Sequence, residues 1–241
     1  MASLDERKTK ILKSIIDEYI NTAAPVGSET LEKKYNLGIS PATIRNEMVE
    51  LTEQGFLKKT HTSSGRIPTP MALKYYVSYL MKEQQLSISE EVMVKEKVWD
   101  YRDELDKLLR EMTRELATRT KELAVAATNE GDVYTAGMAN ILDSPEFFDI
   151  DLTKAILTHL DEAQYWQDLI DKTFLNEPVS FLLGSDLGDV IFEPCSFVYS
   201  RFEFGSKKGA IGIIGPARIN YGRVFPTIRY FGQLINEIFR G

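Results

Sequence analysis

The residues best equipped for recognition chemistry lie between Ser40 and Thr69, SPATIRNEMVELTEQGFLKKTHTSSGRIPT. Ser40, Ala42, Thr43, Arg45 and Asn46 combine short side chains with hydrogen-bonding groups over two turns of one expected helix. Arg can pair with guanine and Asn with adenine through two parallel hydrogen bonds. Lys58, Lys59 and Arg66 follow on a short hairpin, with hydroxyls from Thr60, Thr62, Ser63 and Ser64 and the imidazole of His61 between them. Cations and hydroxyls on a small hairpin suit phosphate contacts, and Arg66 is placed to reach a minor groove. An ordinary solvated helix face is the plainer account of Arg45 and Asn46, but it leaves the basic hairpin behind them unexplained.

Three helices must position this set. Ile11, Leu12, Ile15, Ile16, Tyr19 and Ile20 recur at helical spacing and predict a first helix over Leu4 to Asn21. Ser28 caps a second over Glu29–Tyr35, with Leu31 inward, and Asn36-Leu37-Gly38 forms a tight turn. Ser40 caps a third helix and Pro41 occupies its first position, where a missing N–H costs nothing. On that third helix Ile44, Met48 and Leu51 face the core, while Ala42, Thr43, Asn46 and Glu50 face outward with Arg45 at the flank. Helix-turn-helix proteins insert the N-terminal end of this last helix into the major groove. Gly55 ends it, Phe56–Thr60 and Arg66-Ile67 form the two strands of a wing, and Thr69-Pro70 opens a fourth helix over Met71–Lys82.

Charge divides the chain at the same place. The net charge over 241 residues is −7, yet residues 1–82 hold 12 Lys+Arg against 9 Asp+Glu and the remainder holds 17 against 27. A basic head on an acidic body suits a nucleic-acid partner for the head. The single cysteine, Cys195, allows no internal disulfide and fits a reducing compartment. MASLDERKTK lacks the apolar core of a signal peptide, and no apolar run is long enough to span a membrane, so a cytoplasmic location is expected.

Beyond the head, Glu90 to Thr128 contains no Pro or Gly, and Val98, Tyr101, Leu105, Leu108, Met112, Leu116 and Leu123 follow near-heptad spacing. This predicts a long amphipathic helix, or two with a break, within a linking region 83–130. Its stripe serves either its own domain or a second copy, and Tyr101, Leu105, Leu108, Met112 and Leu116 are the candidate dimer contacts. A dimer is physically attractive because one small head reads few base pairs, whereas two on a twofold axis read an inverted repeat.

Residues 131–241 predict an α/β body. A helix is expected over 152–175 and strands over Val179–Leu183, Val190–Phe192, Cys195–Phe204 and Ala210–Ile214, with a closing helix over Tyr221–Phe239. Asp143, Glu146, Asp149 and Asp151 are better read as helix caps than as metal ligands. His61 and His159 are the only histidines and share no ligand spacing, so no metal is expected. Cys195 reads as a small buried apolar residue, and Gly212-Ile-Ile-Gly215-Pro216 lacks the pattern of a nucleotide loop. No catalytic set and no cofactor site emerge.

Several runs carry a resemblance to a known family. PVGSETL (25–31), SPATIRNEM (40–48), HTSSGRIPT (61–69) and YYVSYL (75–80) resemble the winged-helix domain of the heat-inducible transcription repressor HrcA family. VYTAGMANILDSPEF (133–147) and GAIGIIGPARINYGRV (209–224) resemble its GAF-like domain. The chain is short for that family, which normally carries extra sequence between the long helix and the VYTAG-like run, including part of the GAF-like sheet and an inserted dimerisation domain; here Ala127 leads almost directly to Val133. The resemblance implies an α+β protein with an N-terminal winged helix-turn-helix domain (1–82), a long linking helix and an abbreviated GAF-like α/β domain. It also implies a homodimeric repressor of chaperone genes on double-stranded DNA, bound to an inverted-repeat operator (the CIRCE element), with activity dependent on a GroEL-type chaperonin. The competing class is a winged-helix regulator with a small-molecule site in the α/β body; an enzyme bearing a DNA-binding appendage finds no support in the residues.

Overall fold

The computed structural model describes residues 4–60, 65–172, 177–205 and 207–240. The chain is α+β and separates into two compact units, Met1–Lys82 and Glu83–Gly241.

In the first unit, α1 (Glu6–Thr22) starts at Asp5, whose carboxylate accepts the Lys8 N–H at 2.8 Å, and ends at Ala23 in the left-handed region. Its stripe, Ile11, Leu12, Ile15 and Ile16, is fully buried, which is what an apolar face at helical spacing must achieve to stabilise the helix. Then come α2 (Ser28–Tyr35) and α3 (Pro41–Glu53), joined through Asn36 and Gly38, both at positive φ. A hairpin of β1 (Leu57–Lys59) and β2 (Arg66–Pro68) follows, in antiparallel register with Lys58 opposite Ile67. Val26 and Arg66 exchange backbone hydrogen bonds of 2.9 Å, so the hairpin is tied to the segment between α1 and α2. The Thr69 hydroxyl accepts the Ala72 N–H and donates to the Gly55 carbonyl, capping α4 (Pro70–Tyr75). The expected helix over Met71–Lys82 is shorter: it loosens into a π-helical turn, Tyr76–Leu80, and stops at Met81. That turn is held by the Tyr76 hydroxyl, which donates to Asp17 of α1 at 2.8 Å.

The second unit begins with α5 (Ile88–Trp99), capped by Ser87 and Glu90, and α6 (Leu105–Thr120). Then come β3 (Leu123–Thr128), β4 (Val133–Ala136), α7 (Ile150–Asp161), α8 (Ala163–Lys172), β5 (Ser180–Leu183), β6 (Cys195–Phe204), β7 (Lys207–Pro216) and α9 (Tyr221–Arg240). The five strands form one antiparallel sheet in the order β4-β3-β7-β6-β5. One face, including Val125, Ala127, Phe197 and Tyr199, packs on Ile156 and Leu160 of α7 and Trp166 of α8. Alternate residues, Ala124, Ala126, Val198, Ile211 and Ile213, are also buried, and α6 and α9 lie against these strands. A strand covered on both sides must be apolar at every position, and Leu-Ala-Val-Ala-Ala-Thr of β3 is buried throughout.

The linking region therefore differs from expectation. Residues 83–130 hold two helices and a strand instead of one long helix. The first break, between Trp99 and Leu105, is filled by single-turn hydrogen bonds such as Tyr101 N–H to the Val98 carbonyl at 3.0 Å, in a stretch where Asp100 and Asp103 are poor helix formers. The second falls at Lys121, left-handed at φ 60°, after which Leu123 enters the sheet. Leu108, Met112 and Leu116 are completely buried within their own unit, so these three have no surface to offer a second copy. Tyr101 and Leu105 stay partly exposed. The helix expected over 152–175 breaks at Glu162 into α7 and α8, and Val190–Phe192 is a 3-10 turn, not a strand. Asn129 to Gly131 close β3 to β4 in a tight turn, with the Thr128 N–H on the Asp132 carbonyl at 2.9 Å. The short connection thus joins two neighbouring strands of the five-stranded sheet. Among the described residues no helix is long and apolar enough to cross a membrane, and no group of three or more His, Cys, Asp or Glu is placed to hold a metal ion.

Candidate nucleic-acid interface

The start of α3 is organised by its own side chains. The Ser40 hydroxyl accepts the Thr43 N–H at 3.2 Å and lies 3.0 Å from the Thr43 hydroxyl, and Pro41 supplies a fixed φ at the first helical position. Ser40 stays exposed and Thr43 partly so, each hydroxyl keeping capacity for a further hydrogen bond. Ile44, Met48 and Leu51 anchor the inner side of the helix. Ala42, Arg45 and Asn46 are exposed. Their separations of three and four residues place them together on one surface.

The structure adds two residues of α3 to this picture. Val49, 41% exposed, lies seven residues after Ala42 and continues the same surface with an apolar group, the kind of contact a thymine methyl accepts. Its spacing of three from Asn46 was available in the sequence; a valine in a helix is simply read first as core. Glu47 is 9% exposed and turned the other way. It pairs with Arg7 at 3.3 Å and Lys8 at 3.1 Å, and Lys8 also holds Glu50 at 3.0 Å. Asp5, then Glu50 and Glu47, raise the Lys8 pKa well above its ordinary value. The basic start of α1 thereby offsets two carboxylates of α3 that would otherwise repel a polyanion. Glu50, expected on the reading face, is drawn into this network.

The hairpin separates its three cations. Lys59 is exposed and Lys58 partly buried. Neither Arg45 nor Lys59 forms an ion pair among the described residues, so both charges remain available to a phosphate or base. Arg66 is 7% exposed. Its Nε donates to the Thr52 hydroxyl of α3 at 3.2 Å and a terminal nitrogen donates to the Gly65 carbonyl at 3.3 Å. The expected minor-groove contact is thus replaced by a strut between hairpin and helix. Thr52 in turn donates to the Met48 carbonyl at 2.7 Å, fixing the acceptor Arg66 uses. Candidate residues His61, Ser63 and Ser64, with Thr62, lie outside the described residues. Of the sequence-derived set, Ser40, Ala42, Thr43, Arg45 and Asn46 come together on α3, and Lys58 and Lys59 sit on the strand that leaves it.

Comparison with known proteins agrees across both units. Residues 47–225 match the family model described as the HrcA protein C terminal domain. The chain is similar to the heat-inducible transcription repressor HrcA of Carboxydothermus hydrogenoformans, 27% identical over 336 aligned positions that cover 98% of each protein. It is 28% identical to the protein of that name from Pelotomaculum thermopropionicum over 343 positions, covering 99% of each. These alignments are longer than the 241-residue chain, so the relatives carry segments with no counterpart in it. In fold, the chain resembles a crystal structure of a hypothetical protein at TM-score 0.77 and 17% identity, covering 98% of this chain and 99% of the other.

Proposed function

The chain belongs to the HrcA family, and from that premise we propose that it is a heat-inducible transcriptional repressor whose residues 1–82 form a winged helix-turn-helix head. The exposed row Ala42, Arg45 and Asn46 on α3, with Arg45 and Lys59 free of ion pairs among the described residues, is the observation that carries this reading. In it α3 enters a major groove, Asn46 and Arg45 read base edges, and Ser40, Thr43, Lys58 and Lys59 anchor the backbone. Residues 61–64 would complete the wing. The body, with helices on both faces of a five-stranded antiparallel sheet, acts as a GAF-like regulatory domain. Two copies bind an inverted repeat of the CIRCE type in the cytoplasm and occlude a chaperone-gene promoter. A GroEL-type chaperonin keeps the body folded and so sets the amount of active repressor. The relatives are named as repressors, and no enzymatic role is assigned to this chain.

Fluorescence anisotropy with the full chain, an inverted-repeat duplex and a scrambled control tests the proposal. Asn46→Ala is expected to lower discrimination by ~1–3 kcal/mol at one base position and leave scrambled DNA nearly unchanged. Lys59→Ala is expected to weaken both duplexes alike and reduce the slope of log K against log salt by about one. Equal loss on both duplexes for Asn46→Ala would remove it from base reading, and saturation at one chain per inverted repeat would contradict the dimer.

A further inference from the structure

The second unit has a polar cleft of about 210 Å³ that the DNA-binding reading does not use. Its walls come from three elements and the segment that leads into them: Gln84 and Gln85 before α5, Glu90 in the first turn of α5, Arg119 in the last turn of α6, and Arg223 and Thr227 of α9. Two guanidinium groups thus converge from different helices. Arg119 is positioned by an ion pair with Glu115. Its Nε donates to Glu115 at 2.7 Å, and the other Glu115 oxygen takes Lys97 at 2.6 Å. Glu115 is 8% exposed and both its oxygens are committed. A guanidinium has five N–H donors. Only the Nε edge of Arg119 is spent on the protein among the described residues, which leaves its two terminal nitrogens for another acceptor. Arg223 is exposed and forms no ion pair among the described residues.

The carboxylate on the cleft wall is engaged through one oxygen. Glu90 accepts the Ser87 N–H and hydroxyl, both at 2.8 Å, in the capping box of α5. These hydrogen bonds hold its pKa below the ordinary value, and the charges of Arg119 and Arg223 add to the effect. With Glu115 and its second partner Lys97 included, three cations meet two carboxylates, which leaves the cleft positive in a unit whose balance is acidic. The Gln85 amide nitrogen donates to Glu83 at 2.9 Å, leaving its carbonyl oxygen free to accept from a ligand donor. The cavity bounded by Ile156, Trp166, Cys195 and Phe197 measures about 20 Å³, room for about one water.

We propose that the cleft between Arg119 and Arg223 binds a small phosphate-bearing anion. Planar guanidinium forks suit phosphate oxygens, and two of them from different helices fix orientation as well as charge. The volume falls below the ~300–1,000 Å³ of pockets for drug-sized ligands, which suits inorganic phosphate or a small phosphomonoester. The occupant would also bear on the chain leaving Lys82. Glu83 is fastened to Arg229 of α9 by hydrogen bonds of 2.6 and 2.7 Å, and the Gln84 N–H donates to the Gly222 carbonyl at 2.8 Å. A ligand between Gln84, Arg119 and Arg223 would bridge this pinned segment to α6 and α9. The proposal does not rest on the DNA-binding reading.

Isothermal titration of the full chain with inorganic phosphate and with glycerol 1-phosphate, at constant ionic strength in chloride, tests it without DNA. Saturable binding at one site per chain is expected at millimolar concentrations or below. The tighter of the two probes identifies the form in which the phosphate arrives. Arg223→Gln is expected to weaken binding by about tenfold or more. Arg223→Lys, which keeps the charge and loses the fork, should fall between it and wild type. Arg223 is exposed, so neither change threatens folding. Lys154→Gln, which removes an exposed charge on α7, should leave affinity unchanged. Absence of saturable binding, or equal affinity in Arg223→Gln and wild type, overturns the site; equal weakening by Arg223→Gln and Lys154→Gln reduces it to general surface charge.

Discussion

Arg66 and Lys59 sit opposite each other across the hairpin, yet only Lys59 faces solvent. The buried guanidinium satisfies itself on Thr52 and the Gly65 carbonyl. Removing it strands an acceptor and opens a gap, which costs ~1–3 kcal/mol when a buried polar partner is lost. Arg66→Ala should therefore lower the denaturation midpoint of the first unit while leaving the salt slope of DNA binding unchanged at temperatures where the unit stays folded. A slope reduced by about one, with an unchanged midpoint, would make Arg66 a phosphate contact after all. A second residue-scale effect concerns Glu122, between α6 and β3. Burial raises its pKa from 4.5 to about 8; Arg218 opposes the shift while Glu146 and Asp143 add to it. Arg218 is largely spent on Glu146, at 2.6 and 3.0 Å. With the folded pKa above the unfolded one, the native state binds more protons between 4.5 and about 8. Stability conferred by protonated Glu122 is complete at the acid end of that window and is lost as pH rises through it. Glu122→Gln should flatten this part of a pH series of urea midpoints, and an unaltered slope would show that the carboxyl titrates normally.

At the scale of elements, α6 and β3 show how one apolar pattern can serve two structures. The near-heptad stripe of α6 is real, but its target is the sheet of its own unit. Met112 is fully buried there, and truncating such a side chain costs ~2–5 kcal/mol. Met112→Ala should destabilise the second unit by that amount, and the loss relative to wild type should not vary with protein concentration. A loss that grows on dilution would restore Met112 to a contact between copies. In β3 an apolar run without alternation cannot be told from buried helix by periodicity alone; its neighbours in the sheet decide. Gly212 of β7 shows the same dependence. A Cβ there would lie 2.3 Å from the Val198 carbonyl oxygen and 2.6 Å from the Tyr199 Cβ. Gly212 of GAIGIIG thus serves close strand approach, in keeping with the absence of a nucleotide-loop pattern.

For the whole molecule, the division into a basic and an acidic unit has a functional consequence under the proposed chaperonin dependence. The N-terminal unit is small, while the second depends on a sheet whose strand order, β4-β3-β7-β6-β5, brings β3 beside β7 across the 78 residues between them. Long-range pairing of this kind is slow to form. A purified protein heated and cooled alone is expected to lose operator binding, and a GroEL-type chaperonin with ATP should restore it, as read by anisotropy on the inverted repeat. Full recovery without chaperonin would end that part of the proposal.

Local chemistry was legible without a structure wherever a few neighbouring residues decide the outcome. Ser40-Pro41 dictates a helix start, Gly38 permits a turn, Ile44, Met48 and Leu51 select an inner face, and what remains on the outer face of α3 is the proposed reading set. The shift in charge after Lys82 coincides with the boundary between the two units. What the sequence could not decide were properties owned jointly by distant residues. Arg66 is buried because Thr52 offers it an acceptor and Val26 pairs with its backbone. Leu108, Met112 and Leu116 are core because the sheet arrives beneath them. Leu123–Thr128 is a strand because β4 and β7 flank it on either edge. Residue type and spacing determined which side chains could read DNA or fill a core. Only tertiary structure assigned each charge and each apolar stripe to a partner, because burial and pairing free energies belong to contacts and not to single residues.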